Sequence, residues 1–221
     1  MLKTAPVLLS VIVLAIVVVG CGGDSDSETS SGPFAPQATL KAVGGTVRTE
    51  KPSFVLDVRA RKGDENLESV AFELPQVVLV DTTAVGVFCT QAELQADRCV
   101  DRQRLGTAEV RSPAYKGALR GNVYPVTGGS RLPKLVFLFD GPATIQLEGE
   151  ILAKGGRIGA EVEDIPDTPL DSFEFTIDGG KPGYLVLSRN ICAGDPVADA
   201  IFTSQGGEVS RQKVPLVGEC G

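Results

Sequence analysis

The residues best placed to do chemistry are four glutamates that flank a Gly-Gly pair. Gly155-Gly156 suits a two-residue hairpin turn, which needs positive φ at both positions, and such a turn fixes the pairing of the flanking strands. Counting outward from it, Glu150 faces Glu161 and Glu148 faces Glu163. The sequence therefore predicts four carboxylates on one outer surface of a hairpin.

Like charges directly opposite across two strands are destabilising, so this surface invites a cationic neighbour. Clustered carboxylate oxygens suit a hard cation such as calcium, and a basic protein surface would also fit. The favoured interpretation is a solvated acidic face, because exposed charge pairs contribute only about 0 to 1 kcal/mol. Weak calcium binding is the one cofactor hypothesis that the sequence raises, and no metal site is assigned.

Enzyme chemistry finds little support in the remaining residues. The chain has no His, which excludes Ser-His-Asp, Cys-His and HExxH sites. Ser210 and Lys213 match an SxxK string, but they lie in a predicted strand without the partner motifs. A glycosidase carboxylate pair would lack an aromatic platform for sugar, since Trp is absent and only three Tyr occur. We predict a non-enzymatic protein with no catalytic residues.

One group of carboxylates keeps an enzymatic alternative open. Asp164, Asp167 and Asp171 would support it if they converged in a pocket with perturbed pKa values. Their Ile-Pro-Asp-Thr-Pro-Leu-Asp context is more typical of a rigid loop between strands.

The amino-terminal residues predict export and lipid attachment. Residues 1–20 contain Lys3 followed by an apolar run, as in a signal peptide. Val18-Val19-Gly20-Cys21 resembles the bacterial lipobox, in which the Cys receives diacylglycerol. The alternative, an uncleaved transmembrane helix, would be at the short limit of the roughly 17 to 25 residues needed to span. We predict lipidation of Cys21 and a location at the extracytoplasmic face of the cell membrane.

Residues 21–36 are small, acidic and rich in Ser, which predicts a disordered tether between the lipidated Cys21 and the folded domain. The whole chain carries a formal net charge of −7. Nucleic acid depends on clustered Lys and Arg for binding, so it is not expected as a partner. An anionic lipid surface would repel the domain too, which leaves the lipid anchor as the means of membrane attachment.

The four remaining cysteines form an even set, as expected for disulfides in an oxidising compartment. Three pairings are possible, and we favour Cys89 with Cys99 and Cys192 with Cys220, because closing a loop between sequence neighbours costs the least entropy. Metal binding is the alternative, but CxxC spacing and His are both missing. Within the first loop, Thr90 and Glu93 fit a capping box that predicts a short helix over residues 91–97.

Alternating apolar residues predict an all-β domain over residues 37–221. In Ser53–Arg61 the side chains of Phe54, Leu56 and Val58 fall on one face. Comparable runs, separated by Gly, Pro and Asp turns, occur at residues 70–74, 105–111, 119–125, 134–140, 144–154, 157–163, 172–178, 184–188, 198–204 and 208–214. About a dozen short strands indicate an antiparallel β-sandwich, built as one unit or as two packed β units with a break near residues 85–105.

A set of short motifs occurs along residues 67–205. The motifs are Cys89, Cys99, Leu105-Gly106-Thr107-Ala108, Leu119-Arg120-Gly121-Asn122-Val123-Tyr124, Leu147-Glu148-Gly149-Glu150-Ile151, Ile165-Pro166-Asp167-Thr168-Pro169, Phe173, Gly179-Gly180 and Leu187-Ser188-Arg189-Asn190-Ile191-Cys192. Together they resemble a β-domain repeat family of secreted and lipid-anchored actinobacterial surface proteins. The chain departs from that family at Val100, where Pro usually follows the second Cys. The resemblance implies no activity.

These observations favour a membrane-anchored lipoprotein that serves in envelope structure or in binding an envelope component. One alternative is a carrier that holds an apolar ligand between its sheets. Another is a cation-binding surface domain that uses the hairpin glutamates.

Overall fold

The computed structural model describes residues 33–83, 88–127, 132–181 and 183–220. Within them lie fourteen strands, one short helix, α1 (Gln91–Gln95), and two 3-10 turns, Asp101–Gln103 and Ile191–Ala193. The strands are β1 (Gln37–Val43), β2 (Ser53–Arg59), β3 (Leu67–Glu73), β4 (Val78–Val80), β5 (Cys89–Thr90), β6 (Gly106–Arg111), β7 (Leu119–Thr127), β8 (Lys134–Asp140), β9 (Ile145–Lys154), β10 (Arg157–Val162), β11 (Ser172–Ile177), β12 (Leu185–Leu187), β13 (Val197–Ser204) and β14 (Val209–Gly218). The all-β prediction is confirmed.

The main sheet closes into a barrel of eleven strands, so the predicted sandwich is wrong. The strand order is β7-β6-β11-β2-β1-β14-β13-β3-β10-β9-β8, and β8 pairs again with β7 from Arg120↔Asp140 to Val126↔Lys134. Because β7 and β8 are the two end strands of this order, their pairing leaves the barrel without a free edge. Strands from both sides of residues 85–105 take part in this one sheet.

The registers define two ends of the barrel. We call the end where β1 begins at Gln37 the near rim and the end where it finishes at Val43 the far rim. The β10–β11 connection, residues 163–171, crosses the near rim. The far rim receives the ribbon that β4 and β12 form by antiparallel pairing.

Alternation of side chains along each strand builds the core inside the barrel. In β2 the inward Phe54 and Val58 are almost fully buried, as the sequence predicts. The ribbon adds Val78 and Leu187, each with 1% of its surface exposed, to the same core at the far rim. Backbone bonds from Thr49 N to Leu187 O (2.8 Å) and from Leu187 N to Glu50 O (2.9 Å) tie the ribbon to the β1–β2 loop.

The predicted disulfides, Cys89–Cys99 and Cys192–Cys220, are both formed. Between the first two cysteines, Glu93 N donates to Thr90 Oγ1 (3.2 Å) and Thr90 N donates to Glu93 Oε2 (2.9 Å). The capping box is therefore confirmed, and the helix that it starts ends at Gln95, two residues before the predicted end. Leu94 of this excursion packs on the outer wall of the barrel against Tyr124.

The β9–β10 hairpin has the predicted register. Gly155 and Gly156 have φ of +61° and +75°, and Glu150 is the cross-strand partner of Glu161. A two-residue turn with positive φ at both positions matches the right-handed twist of the strands that it joins.

Arg157 joins three strands on the outer wall. Its guanidinium donates to Leu74 O (3.0 Å), just beyond β3, and to Val197 O in β13 (3.0 Å). It also pairs with the carboxylate of Asp199, which Lys213 contacts as well. Because a guanidinium presents its donors in a rigid fork, this one side chain holds β10, β3 and β13 in register.

The predicted signal peptide, Cys21 and most of the tether lie outside the described residues. No helix in the described part of the chain has the length and apolar character needed to cross a membrane.

Removal of the second disulfide should lower the thermal stability of the domain. The Cys192–Cys220 bond has a sequence separation of 28 residues, and a loop of about that size contributes about 3.5 kcal/mol in the chain-entropy model. We expect the double variant Cys192→Ser, Cys220→Ser to melt about 10 °C lower by calorimetry. Wild type under reducing conditions loses the Cys89–Cys99 bond as well and should melt lower still, and an unchanged melting temperature of the double variant would contradict the assigned pairing.

Asp199 should make stability depend on acid pH. Hydrogen bonds from Lys213 and Arg157 lower the pKa of Asp199 below its ordinary value of 3.8, against the opposing effect of burial. The ionised carboxylate thus stabilises the fold above about pH 4, and this contribution is lost as the pH falls through the lowered pKa. Asp199→Asn should melt below wild type at pH 7, with the gap closing toward pH 3.

The matched control for this pH series is Asp195→Asn, which changes an exposed carboxylate on the loop before β13. It should leave the pH profile of the melting temperature close to that of wild type. A gap between Asp199→Asn and wild type that stays constant from pH 7 to pH 3 would rule out the electrostatic account.

Candidate functional site

A cavity of about 500 Å³ occupies the inside of the barrel. Side chains from the barrel strands line it, together with residues from both rims. Its size falls within the range of about 300 to 1,000 Å³ that is typical of small-molecule sites.

The strand number explains why the barrel holds open space. Eight strands give an interior that side chains just fill, and larger barrels enclose cavities or channels. This chain closes eleven strands and has no Trp to occupy the extra width. Several inward-pointing side chains are therefore only partly buried. Part of their surface borders the cavity and contacts no other side chain. They include Ile145, Leu147, Ile151, Ile158 and Ala160.

Aromatic rings form one wall of the cavity. Phe137 on β8 meets Phe175 on β11 edge to face, with ring centroids 5.4 Å apart, and Phe173 in the same way at 6.2 Å. Edge-to-face contacts of this kind add about 0.5 to 1.5 kcal/mol beyond their buried area. The rings hold one another in place and leave the cavity between them and β9, β10 and β3.

The wall of the cavity, as far as the described residues form it, is uncharged. Among the described residues that line it, none is Asp, Glu, Lys or Arg. Side-chain hydroxyls come from Ser112, Tyr115 and Thr168 toward the near rim and from Tyr184 at the far rim. A charged group placed inside would lose its hydration without gaining an ion pair, which is costly.

The near rim is closed by residues 163–171, which we call the strap. Ile165 N donates to Glu68 O (2.9 Å), Gln205 Nε2 donates to Ile165 O (2.9 Å), and Asn66 Nδ2 donates to Asp167 Oδ1 (2.8 Å). These bonds attach the strap to the near-rim ends of the neighbouring strands β3 and β13. Apolar strap residues such as Ile165 and Leu170 line the cavity beneath it.

The strap also carries the three carboxylates considered for catalysis. Asp164, Asp167 and Asp171 are all exposed, so their side chains lie on the solvent side of the strap. The same short segment thus presents apolar groups to the cavity and carboxylates to water. The absence of enzymatic activity stays a prediction.

At the far rim the cavity reaches the protein surface. Its lining residues Val80 and Leu132 are 39% and 41% exposed. Beside Val80, the ring of Tyr184 stacks on Phe88 with centroids 6.1 Å apart, and Tyr184 O accepts a hydrogen bond from Asp81 N (2.8 Å). Tyr184 is 7% exposed, and burial raises the pKa of its hydroxyl. No hydrogen bond of this hydroxyl is found within the described part of the chain, and since no buried side-chain polar atom there lacks a partner, the Tyr184 oxygen is open to solvent.

The hairpin glutamates lie outside the barrel, away from the cavity. Lys134 Nζ on β8 lies 3.2 Å from Glu148 Oε2, and Lys134 is also the cross-strand partner of Glu150. A lysine of the next strand thus places a positive charge beside two of the four glutamates. Glu163 lies one residue beyond the end of β10 and is exposed.

Within the described residues, no three acidic, His or Cys side chains are arranged to hold a metal ion. Weak calcium binding by the glutamate face of the hairpin stays a prediction.

Ser210 and Lys213 lie in β14, as predicted from the sequence, and their spacing places them on opposite faces of the strand. Ser210 is buried and accepts a hydrogen bond from Gln212 Nε2 (3.1 Å). Lys213 faces outward to Asp199. The SxxK string therefore does not bring the amine onto the hydroxyl.

A second concavity of about 530 Å³ lies on the outer wall under the α1 excursion. Its lining is more polar than that of the barrel cavity and includes Glu109. Glu109 forms ion pairs with Arg120 (2.7 Å) and Arg111 (2.5 Å). The ion pair between Glu109 and Arg120 neutralises two of the charges that line this groove.

No family model, curated protein or solved structure matches the chain. The resemblance to actinobacterial surface repeats stays a prediction.

Lys134→Met tests whether the glutamate face needs its lysine. The pair is about half exposed, so we expect a loss of stability of at most about 1 kcal/mol at low salt. If calcium binds to the exposed carboxylates, it should raise the melting temperature of the variant more than that of wild type. Calorimetric titration showing no calcium uptake by either protein would dismiss the calcium hypothesis.

Proposed function

We propose that the protein is a lipid-anchored, extracytoplasmic binding protein that carries an apolar ligand inside its barrel. The observation that carries this proposal is the uncharged cavity of about 500 Å³, lined by aliphatic and aromatic side chains. Predicted lipidation of Cys21 supports the membrane location, and two disulfides fit an oxidising compartment.

The free-energy cost of leaving the cavity empty favours a bound apolar ligand. At about 24 cal/mol per Å³, an empty and dry void of this size would cost on the order of 12 kcal/mol. The whole free energy of unfolding of a domain is about 5 to 15 kcal/mol. Each methylene that a ligand buries contributes about 0.8 kcal/mol, so an apolar occupant would recover much of the cost.

A non-enzymatic role agrees with the chemistry of the wall. Binding an apolar molecule needs shape and exclusion of water, and the cavity offers both without a nucleophile beside a base. The rival role, an envelope structural module that binds no small molecule, would leave the cavity without a use.

Filling the cavity by mutation should displace the ligand. Ala160 on β10 faces inward and lines the cavity, whereas Ala71 on the neighbouring strand β3 faces the outer wall beside Glu161. We expect Ala160→Trp to retain far less copurifying lipid than wild type, because the indole takes the ligand's place. Ala71→Trp is the matched control and should retain the wild-type amount.

Ligand retention is measured by native mass spectrometry of the full-length protein extracted from membranes in mild detergent. Organic extraction of the same sample identifies what is released. Wild-type protein without bound apolar mass, even after incubation with long-chain lipids, would overturn the proposed function. Equal retention by Ala160→Trp and Ala71→Trp would place the ligand outside the barrel.

A further inference from the structure

We propose that the ligand is an elongated, uncharged lipid, such as a long-chain ester or alcohol, whose polar oxygen accepts a hydrogen bond from Tyr184 near the far rim. This inference rests on the proposed function and names the class of molecule that the cavity selects. Three observations support it: the length of the cavity, its lack of charge, and the unpaired hydroxyl beside its opening.

The lining spans the barrel from rim to rim. Tyr115 and Ile165 contribute at the near rim, and Val80 and Tyr184 at the far rim. Strand β9 has ten residues, which at about 3.3 Å per residue and the usual tilt of barrel strands extend about 25 Å along the axis. A cavity with this reach suits a molecule with a long chain.

The lack of charge discriminates between lipids that share the same chain. A carboxylate or phosphate drawn into the cavity would meet no Lys or Arg among the described lining residues. Lys51, a cation in the β1–β2 loop at the far rim, is already bound to Asp81, with Nζ 2.5 Å from Oδ2. An anion would therefore be desolvated without a partner, whereas an ester or alcohol would lose little.

Tyr184 supplies the polar contact at the far rim. Its ring is fixed between the Phe88 stack and the ribbon, and Val80, the exposed lining residue at the opening, pairs with the neighbouring Leu185. The raised pKa keeps the hydroxyl protonated at neutral pH, so that it can donate a hydrogen bond to an ester or alcohol oxygen. The polar end of the ligand would thus lie near water and its chain within the barrel.

The test is a competition among 18-carbon compounds that differ only in their polar end. Full-length protein in detergent is incubated at pH 8.5 with equimolar methyl oleate, oleyl alcohol, sodium oleate and 1-octadecene, and native mass spectrometry reports which masses stay bound. We expect the ester and the alcohol to be retained at least about tenfold more than oleate, because the ionised group cannot be paired. Oleate retained as well as the ester would overturn the inference and leave the proposed function standing.

Tyr184→Phe tests the polar contact without changing the shape of the wall. Retention of the ester and the alcohol, measured relative to 1-octadecene, should fall about fivefold, which is the usual effect of one hydrogen bond. Tyr124→Phe is the matched control, since Tyr124 packs against Leu94 on the outer wall and does not line the cavity, and it should leave the ratio unchanged. Equal ratios in wild type and Tyr184→Phe would refute the role of Tyr184.

Failure of the proposed function has a different signature. If wild type retains none of the four compounds, the cavity does not bind long-chain molecules and both proposals fall together.

Discussion

The pairing of β7 with β8 is the constraint on which the rest of the structure depends. Seven residue pairs from Arg120↔Asp140 to Val126↔Lys134 join the two ends of what would otherwise be an open sheet. Closure at eleven strands fixes a circumference wider than aliphatic side chains can fill. The interior must then be plugged, flooded or occupied, and the ribbon at the far rim and the strap at the near rim plug only its two ends.

Charges are distributed in a way that fits this closure. The outer wall carries ion pairs that bridge strands, such as Arg157 with Asp199 and Lys134 with Glu148. The inner wall has apolar side chains and a few hydroxyls. Water can screen the outer pairs, so each adds little stability but helps to set strand order, while the apolar interior supplies the driving force for folding.

Local structure was largely predictable from the sequence, because it depends on short-range rules. The alternation in β2, the turn at Gly155-Gly156 and the capping box at Thr90 each follow from neighbouring residues, and each is confirmed. Strand β1 was missed because its inward positions include the small Ala38 and Ala42, which weaken the apolar signal. The three-residue β4 is too short to show a period.

Closure and the cavity could not be predicted by the same means. Inward and outward residues alternate identically in a sandwich and in a barrel, so the period does not say whether β8 returns to β7. The cavity depends on which inward side chains fail to meet across the barrel, and this is a property of the whole circumference. The role proposed for Tyr184 could not be predicted from the sequence. It depends on the stacking of Tyr184 with Phe88, which is distant in the chain, and on the position of Tyr184 beside the opening of the cavity.

The position of β1 constrains how a membrane-anchored form of the protein could exchange its ligand. β1 begins at the near rim, so an anchor at Cys21 would join the domain there, while the cavity reaches the surface at the far rim, beside Val80. Phe34 packs in the core and its N–H donates to Glu208 Oε2, so a tether would end before residue 33, and twelve residues from Cys21 would reach at most about 43 Å. That reach exceeds the length of the barrel, so the far rim of a tethered form could turn back to the bilayer or face away from it, as the proposed carrier would require.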